Sequence, residues 1–221
     1  MRTPLSAALL YIVATTVANA SPENSGVTAA ALIREMNLAR ENPAAYASYV
    51  EEMRSHLVGN QLVFAGGTIV RSKEGRRALD DTIRFLRHAR PQPSLSLSLG
   101  MCRAAADHCL DQAGGRRGHD GSDRSSPGTR ISRYGEWLGG WGENIAYGKT
   151  NARDIIMALI IDDGQPARKH RKNIFNSKFN CAGAAYGPHA VYRTVCSIDF
   201  AGSYVERGRS ASESLVARNS D

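Results

Sequence analysis

Apolar residues recur at helical spacing through the first half of the chain and give way to short alternating segments near its end. From Val27 to Arg40, the positions Ala30, Ile33, Met36 and Asn37, with Arg40 opposite, predict a helix that stops near "ENP". A second helix, "PAAYASYVEEMRSHL", opens on a proline, whose missing N–H costs nothing in a first turn. "GNQLVFAGG" is glycine-bounded and long enough only for a loop or a brief extended piece. Leu79, Thr82, Ile83 and Leu86 predict a third helix that ends by Pro91. In "LGMCRAAADHCLDQA", the residues Leu99, Cys102, Ala106, Cys109, Leu110 and Ala113 form one stripe and predict a fourth. "GGRRGHDGSDRSSPGTR" reads as loop. "ISRYGEWLGGWGENIAYG" holds too many glycines for a long helix, and Gly142 and Asn144 predict a turn that aims Glu143. Asn151 and Asp154 form a capping box for a helix through "ARDIIMALIID". "FNCAGAAYGPHAVYRTVCSIDF" then reads as two strands around a "GPHA" turn. Helices come first and strands last, without βαβ alternation or internal repeat, which predicts an α+β domain with a short, largely antiparallel sheet.

The ends of the 221-residue chain change the picture. Arg2, the apolar "LSAALLYIVATTVA" and the small residues Ala18 to Ala20 read as a signal peptide over 1–20, cleaved after Ala20. The apolar run is too short to span a bilayer, and no other segment is long and apolar enough, so no transmembrane segment is expected. The mature protein is expected to be secreted, extracellular or periplasmic. A single domain over 21–202 and a polar tail over 203–221 account for the remainder. The formal charge of +7 permits attraction to an anionic cell-surface polymer or a lipid surface and identifies neither. "RKHRK" reads as a solvated face, and without interleaved aromatics it gives no reason to expect nucleic acid as a partner.

Four cysteines in an exported chain raise the question of disulfides. Cys102 and Cys109 are seven residues apart, so on one helix their Cα atoms lie roughly 10.5 Å apart, beyond the reach of about 7 Å that a disulfide permits. They are either buried thiols or paired elsewhere. If Pro188 and His189 form the hairpin loop, Gly187 faces Ala190 and Cys181 comes opposite Cys196. A Cys181–Cys196 disulfide is then available, the alternative being two unbonded core cysteines.

Among six histidines, His119 in "GHDGSD" and His170 in "ARKHRKN" have the most suggestive surroundings. With Glu143 they supply two imidazoles and a carboxylate, a set that could hold Zn²⁺ or another divalent cation and leave a position for water. No HExxH helix, GxSxG elbow or GK[ST] phosphate loop is present, and the helix cysteines lie on an apolar stripe, so no nucleophile is recognisable. Nothing calls for an organic cofactor.

Taken together, "EMNLARENPAAYA", "GENIAYG", "HRKNIFNSKFNCAGAAYG" and "YRTVCSIDFAG" resemble, in order, four elements of the CAP superfamily, or SCP domain, in its bacterial branch. The resemblance covers Val27 to Gly202. It implies an α-β-α sandwich with a cleft that gathers two histidines and two acids around a divalent metal such as zinc. His119, Glu143 and His170 match three of these positions. The fourth, a glutamate in W-x-x-E in eukaryotic members, is met here by Leu159, Ile160, Ile161 and Asp162, with Asp163 competing. Some eukaryotic members bind sterols or other lipids elsewhere on the domain. Three readings follow. One is a non-enzymatic module that binds an extracellular ligand or protein. Another is a metal-dependent hydrolase with Glu143 or Asp162 as catalytic base. The third is an adhesin for anionic surfaces. The signal-peptide expectation is checked by N-terminal sequencing of the exported protein, which is expected to begin at Ser21; retention of Met1 would refute it.

Overall fold

The computed structural model describes residues 27–64 and 67–207; the expected signal peptide and the chain beyond Arg207 lie outside them. Helix α1 (Ala29–Glu41) is capped by Thr28, whose side chain accepts from Ala31 N. It ends at Asn42, and the same side chain accepts from Ala45 N to start α2 (Pro43–Ser55), with Pro43 in its first turn. A two-stranded hairpin, β1 (Gln61–Val63) with β2 (Ile69–Arg71), leads into α3 (Arg76–His88). There Leu79, Thr82, Ile83 and Leu86 are buried, as the spacing predicts. A short strand β3 (Ser96–Leu97) precedes α4 (Leu99–Gln112). Next come α5 (Pro127–Ser132), β4 (Gly135–Tyr147), α6 (Ala152–Ile161), α7 (Lys169–Ile174), β5 (Cys181–His189) and β6 (Arg193–Glu206).

The main sheet has the order β3-β5-β6-β4, with β3 parallel to β5 and the other pairs antiparallel. Its strands send alternate side chains to opposite faces. Ala182, Ala184, Cys196, Ile198 and Phe200 join the large core built with α1, α2, α3 and α6. Cys181 and Ala201 pack on the other face against Met101, Ala104 and Ile131 of α4 and α5. Helices thus cover both faces, in an α+β, α-β-α arrangement. The closest approach is at Gly183, where a Cβ would lie 2.3 Å from Cys102 N, so any side chain there would push α4 off the sheet.

Several expectations are corrected. All four cysteines are free. The hairpin turns later than Pro188–His189: His189 pairs with Arg193, and Ala190, Val191 and Tyr192 form the turn. The His189 ring sets this turn, since its Nδ1 accepts from Val191 N and Tyr192 N while Nε2 meets Arg116 O at 2.9 Å. Cys181 therefore faces Ala201, Cys196 faces Tyr186, and the two thiols lie on opposite faces of the sheet, which rules out the expected disulfide. The stripe on α4 is also rotated. Leu99 and Leu110 are 66% and 74% exposed, while polar His108 and Gln112 turn inward beside Met101, Ala104, Ala105 and Cys109. Gly142 and Asn144 lie within β4 rather than in a turn. The "SSPGTR" segment forms a helix rather than loop, with Ser126 as its cap and Pro127 in its first turn. Strand β6 continues past Gly202 to Glu206, whose carboxylate accepts from Ser98 Oγ and Gly100 N, both at 2.8 Å, and so anchors the start of α4.

Asn37 and Arg40 of the early helix act as clamps. Asn37 donates to Leu95 O and accepts from Leu95 N. The fully buried Arg40 donates to Pro93 O at 2.9 Å, and to Asn176 O and Phe179 O at 3.2 Å each. It also reaches Ile174 O, which ties α1 to the end of α7. Arg40→Met would strand these carbonyls, and is expected to lower the unfolding free energy by roughly 3 kcal/mol in a urea titration. A change under about 1 kcal/mol would mean that the carbonyls find other donors.

Candidate functional site

The site begins with strand alternation. Glu143 and Asn144 are neighbours on β4, so they point to opposite faces, and each one secures a different histidine. On the α4 side, Glu143 Oε1 lies 2.7 Å from His119 Nδ1. On the other side, Asn144 Nδ2 donates to His170 O at 3.0 Å, and Asn173 Nδ2 donates to Asn144 Oδ1 at 2.9 Å. One dipeptide thus fixes both walls of a cleft of about 470 Å³ lined by His119, Glu143, Gln165, Lys169, His170, Lys172 and Asn173.

Glu143 is buried and fully engaged. Its Oε2 accepts from Arg130 Nη2 at 2.6 Å and from Ser197 Oγ at 3.1 Å. The Arg130 side chain is itself 2% exposed, and its Nη1 donates to His119 O and Ser125 O. Arg130 therefore holds both the carboxylate and the backbone of the histidine that pairs with it. His170 has a parallel arrangement. Asp162 closes α6 in a left-handed conformation (φ 53°), and its Oδ1 lies 2.7 Å from His170 Nδ1 while its Oδ2 accepts from His170 N. Asp163 turns away to accept from Ser72 Oγ, Lys73 N and Glu74 N. Of the two acids that competed for the fourth position, Asp162 is the one at the cleft.

The four expected ligands thus arrive as two His–carboxylate pairs rather than one donor set. Glu143 has Arg130, Ser197 and His119 as partners, and both Asp162 oxygens are taken by His170. Among the described residues, no group of three or more His, Cys, Asp or Glu is placed to hold a metal ion. The residues present do not fit a four-ligand zinc site. They fit a pair of oriented imidazoles, each with Nδ1 on a carboxylate and, among the described residues, no hydrogen-bond partner at Nε2.

The cationic run divides. Arg168 pairs with Glu74 at 2.6 Å and holds that carboxyl down to about 2, and Arg171 is buried on Ile160 O, Asp81 and Thr82. Only Lys169 and Lys172 of this run turn to the cleft beside His170. Beneath Glu143 lies a polar group that the sequence reading missed. Asp199 faces Glu143 across β4 and β6, is fully buried, and has neither oxygen hydrogen-bonded. Burial, then the charge of Glu143, pushes its carboxyl well above the usual range and so favours the neutral acid. His108 Nε2 lies 3.9 Å from Glu143 Oε1 and 2.9 Å from Gly118 O. Burial pushes this ring down, favouring its neutral form. The available signal was the alternation of Ser197 and Asp199 with Cys196, Ile198 and Phe200, which marks a second buried face.

Removing Arg130 alone leaves Glu143 buried without its cation. Arg130→Met is expected to cost about 3–5 kcal/mol, and adding Glu143→Gln should recover a substantial part of it. Chemical denaturation of the single and double variants measures this coupling, and strictly additive losses would refute the pairing.

The profile of the cysteine-rich secretory protein family, CAP, matches residues 81–200, more than half of the chain. No curated protein matches the sequence. Among solved structures, an outer surface protein from Borrelia burgdorferi aligns with 14% identity and a TM-score of 0.42, over 50% of this chain and 78% of its own. An extracellular protein containing a SCP domain from Bacillus anthracis aligns with 21% identity and a TM-score of 0.41, over 68% of this chain and 43% of its own. A cysteine-rich secretory protein from Staphylococcus aureus gives 16% identity and a TM-score of 0.36, over 57% and 37%. This chain therefore spans less than half the length of the last two proteins. The 81–200 match takes in both histidine walls and the strand between them, and the chain belongs to the CAP, cysteine-rich secretory protein, family.

Proposed function

We propose that the protein is an exported binding domain whose cleft receives an anionic group, a phosphate or carboxylate, on an extracellular ligand. One observation carries this reading: the two acids of the site are turned onto protein partners, Glu143 onto Arg130 and His119 and Asp162 onto His170, which leaves the two lysines as the charged groups directed at a ligand. Lys169, Lys172, Gln165 and Asn173 complete the lining. The formal charge of +7, which becomes +6 once Arg2 leaves with the signal peptide, would add long-range attraction toward an anionic polymer. The binding-module and adhesin readings then describe one chemistry. None of the helices among the described residues is long and apolar enough to cross a membrane, which is compatible with export of the whole domain.

Titration with inorganic phosphate, followed by NMR of the imidazole and lysine side chains, tests this. Shifts are expected at His119, His170, Lys169 and Lys172, weakening as salt rises. The Lys169→Glu/Lys172→Glu variant should lose about tenfold or more in affinity. Absence of shifts would refute the reading. So would zinc binding at one ion per chain that both His119→Ala and His170→Ala abolish, because the cleft would then belong to a cation.

A further inference from the structure

A site that only holds an anion needs positive charge. It does not need two imidazoles each fixed in orientation by its own carboxylate. In this cleft, His119 Nδ1 and His170 Nδ1 each lie 2.7 Å from a carboxylate oxygen, on Glu143 and Asp162. Both rings are committed at Nδ1, so the nitrogen each can offer a ligand is Nε2. The supports are rigid. Glu143 is fixed by Arg130 and Ser197, and Asp162 also accepts from the backbone of the histidine it orients. Such an arrangement suits proton transfer at a reacting group, because orientation is settled before the ligand arrives.

We infer that this cleft cleaves, without a metal, phosphodiesters that carry a free hydroxyl on the carbon next to the esterified one, with His119 and His170 as general base and general acid. The inference rests on the reading of the cleft as an anion site. In-line displacement at phosphorus needs a proton acceptor at the entering oxygen and a proton donor at the leaving oxygen. Two imidazoles lining one cleft can supply both. Lys169 and Lys172 supply positive charge for the non-bridging oxygens, and Asn173 and Gln165 supply amide donors. Among the described residues no serine, threonine or cysteine lines the cleft, so the nucleophile is taken to come from the substrate. A neighbouring hydroxyl is already within reach of the phosphorus, which gives an intramolecular attack its advantage.

The step balances without any further reactant. Neutral Nε2 of one histidine takes the proton of the substrate hydroxyl as its oxygen forms a bond to phosphorus. The bond from phosphorus to the leaving oxygen breaks, and the protonated Nε2 of the other histidine gives its proton to that oxygen. The products are a cyclic phosphodiester and a free alcohol, and the two rings exchange protonation states, which solvent resets. Apart from the two imidazoles, which the acid and base roles occupy, no aromatic ring among the described residues lines the cleft to stack a base, which favours a polyol phosphate chain over RNA.

The test incubates the purified protein with 1,3-linked poly(glycerol phosphate) in the presence of a chelator and follows cyclic phosphate ester by phosphorus NMR. Cyclic ester is expected from the polymer with free 2-hydroxyls and not from its 2-O-methyl form, which should still bind. His119→Ala and His170→Ala are each expected to slow the reaction by about 100-fold or more. The melting curve of His119→Ala should stay near that of the parent protein, since that side chain lies at the surface, and His170→Gln, which keeps a donor for Asp162, should match the loss of activity in His170→Ala. Binding of the polymer without cyclic ester would overturn the catalytic inference and leave the anion site standing. Failure of both polymers and phosphate to bind would overturn the two readings together. Cleavage of RNA but not of the polyol chain would refute the substrate class, and loss of activity on adding the chelator would refute the metal-free mechanism.

Discussion

The Arg130 guanidinium is the contact on which the cleft depends. It is buried among an acid and two carbonyls, and it joins three segments that are remote from one another in space until the chain folds: the loop carrying His119, helix α5 and strand β4. A buried carboxylate is expensive unless a cation and further hydrogen bonds accompany it, and here both conditions are met around Glu143. The same pairing decides the character of the cleft, because a free Glu143 would make its floor anionic. The stability of the site and the charge of its floor are therefore tied to one side chain that does not line the cleft.

Strand β4 contributes the other constraint. Because successive residues alternate, the Glu143–Asn144 dipeptide can serve one helical layer with its acid and the other with its amide. The sandwich is thus required by the site as well as by the core. The two histidines come from opposite sides of the sheet, and a fold with helices on one face alone would have nowhere to put the second. Arg40 works toward the same end from below, holding the carbonyls where α7 finishes and so fixing the helix that carries His170.

Much of the layout was legible because it is local. The starts of α2 and α6 are written in Pro43 and in Asn151 with Asp154, and the stop of α3 in the approach to Pro91. His119, Glu143 and His170 could be singled out by their surroundings and by the resemblance of four segments to one family. What could not be read depends on long-range satisfaction of polar groups. His108 and Gln112 look like surface residues until Gly118 and Tyr147 supply their partners. The "SSPGTR" segment looks like loop until Arg130 finds Glu143. The hairpin turns at 190–192 rather than at the Pro188–His189 that the sequence suggests, because the turn is set by the ring of His189. In each case a polar side chain turned inward overrode the apolar pattern.

Asp162 carries a consequence for which residues the chain can use at this point. Eukaryotic members of the resembled family carry a glutamate at this point, an acid longer by one methylene. This chain reaches the histidine by backbone, through the left-handed turn that ends α6. Among side chains with a carboxylate, aspartate is the one that tolerates this conformation readily. Restoring the longer acid would add a methylene to a geometry that has already closed the distance, and would put a less tolerant residue at the turn. The position thus sets a conformational requirement beside the chemical one, and of the two acids aspartate meets both.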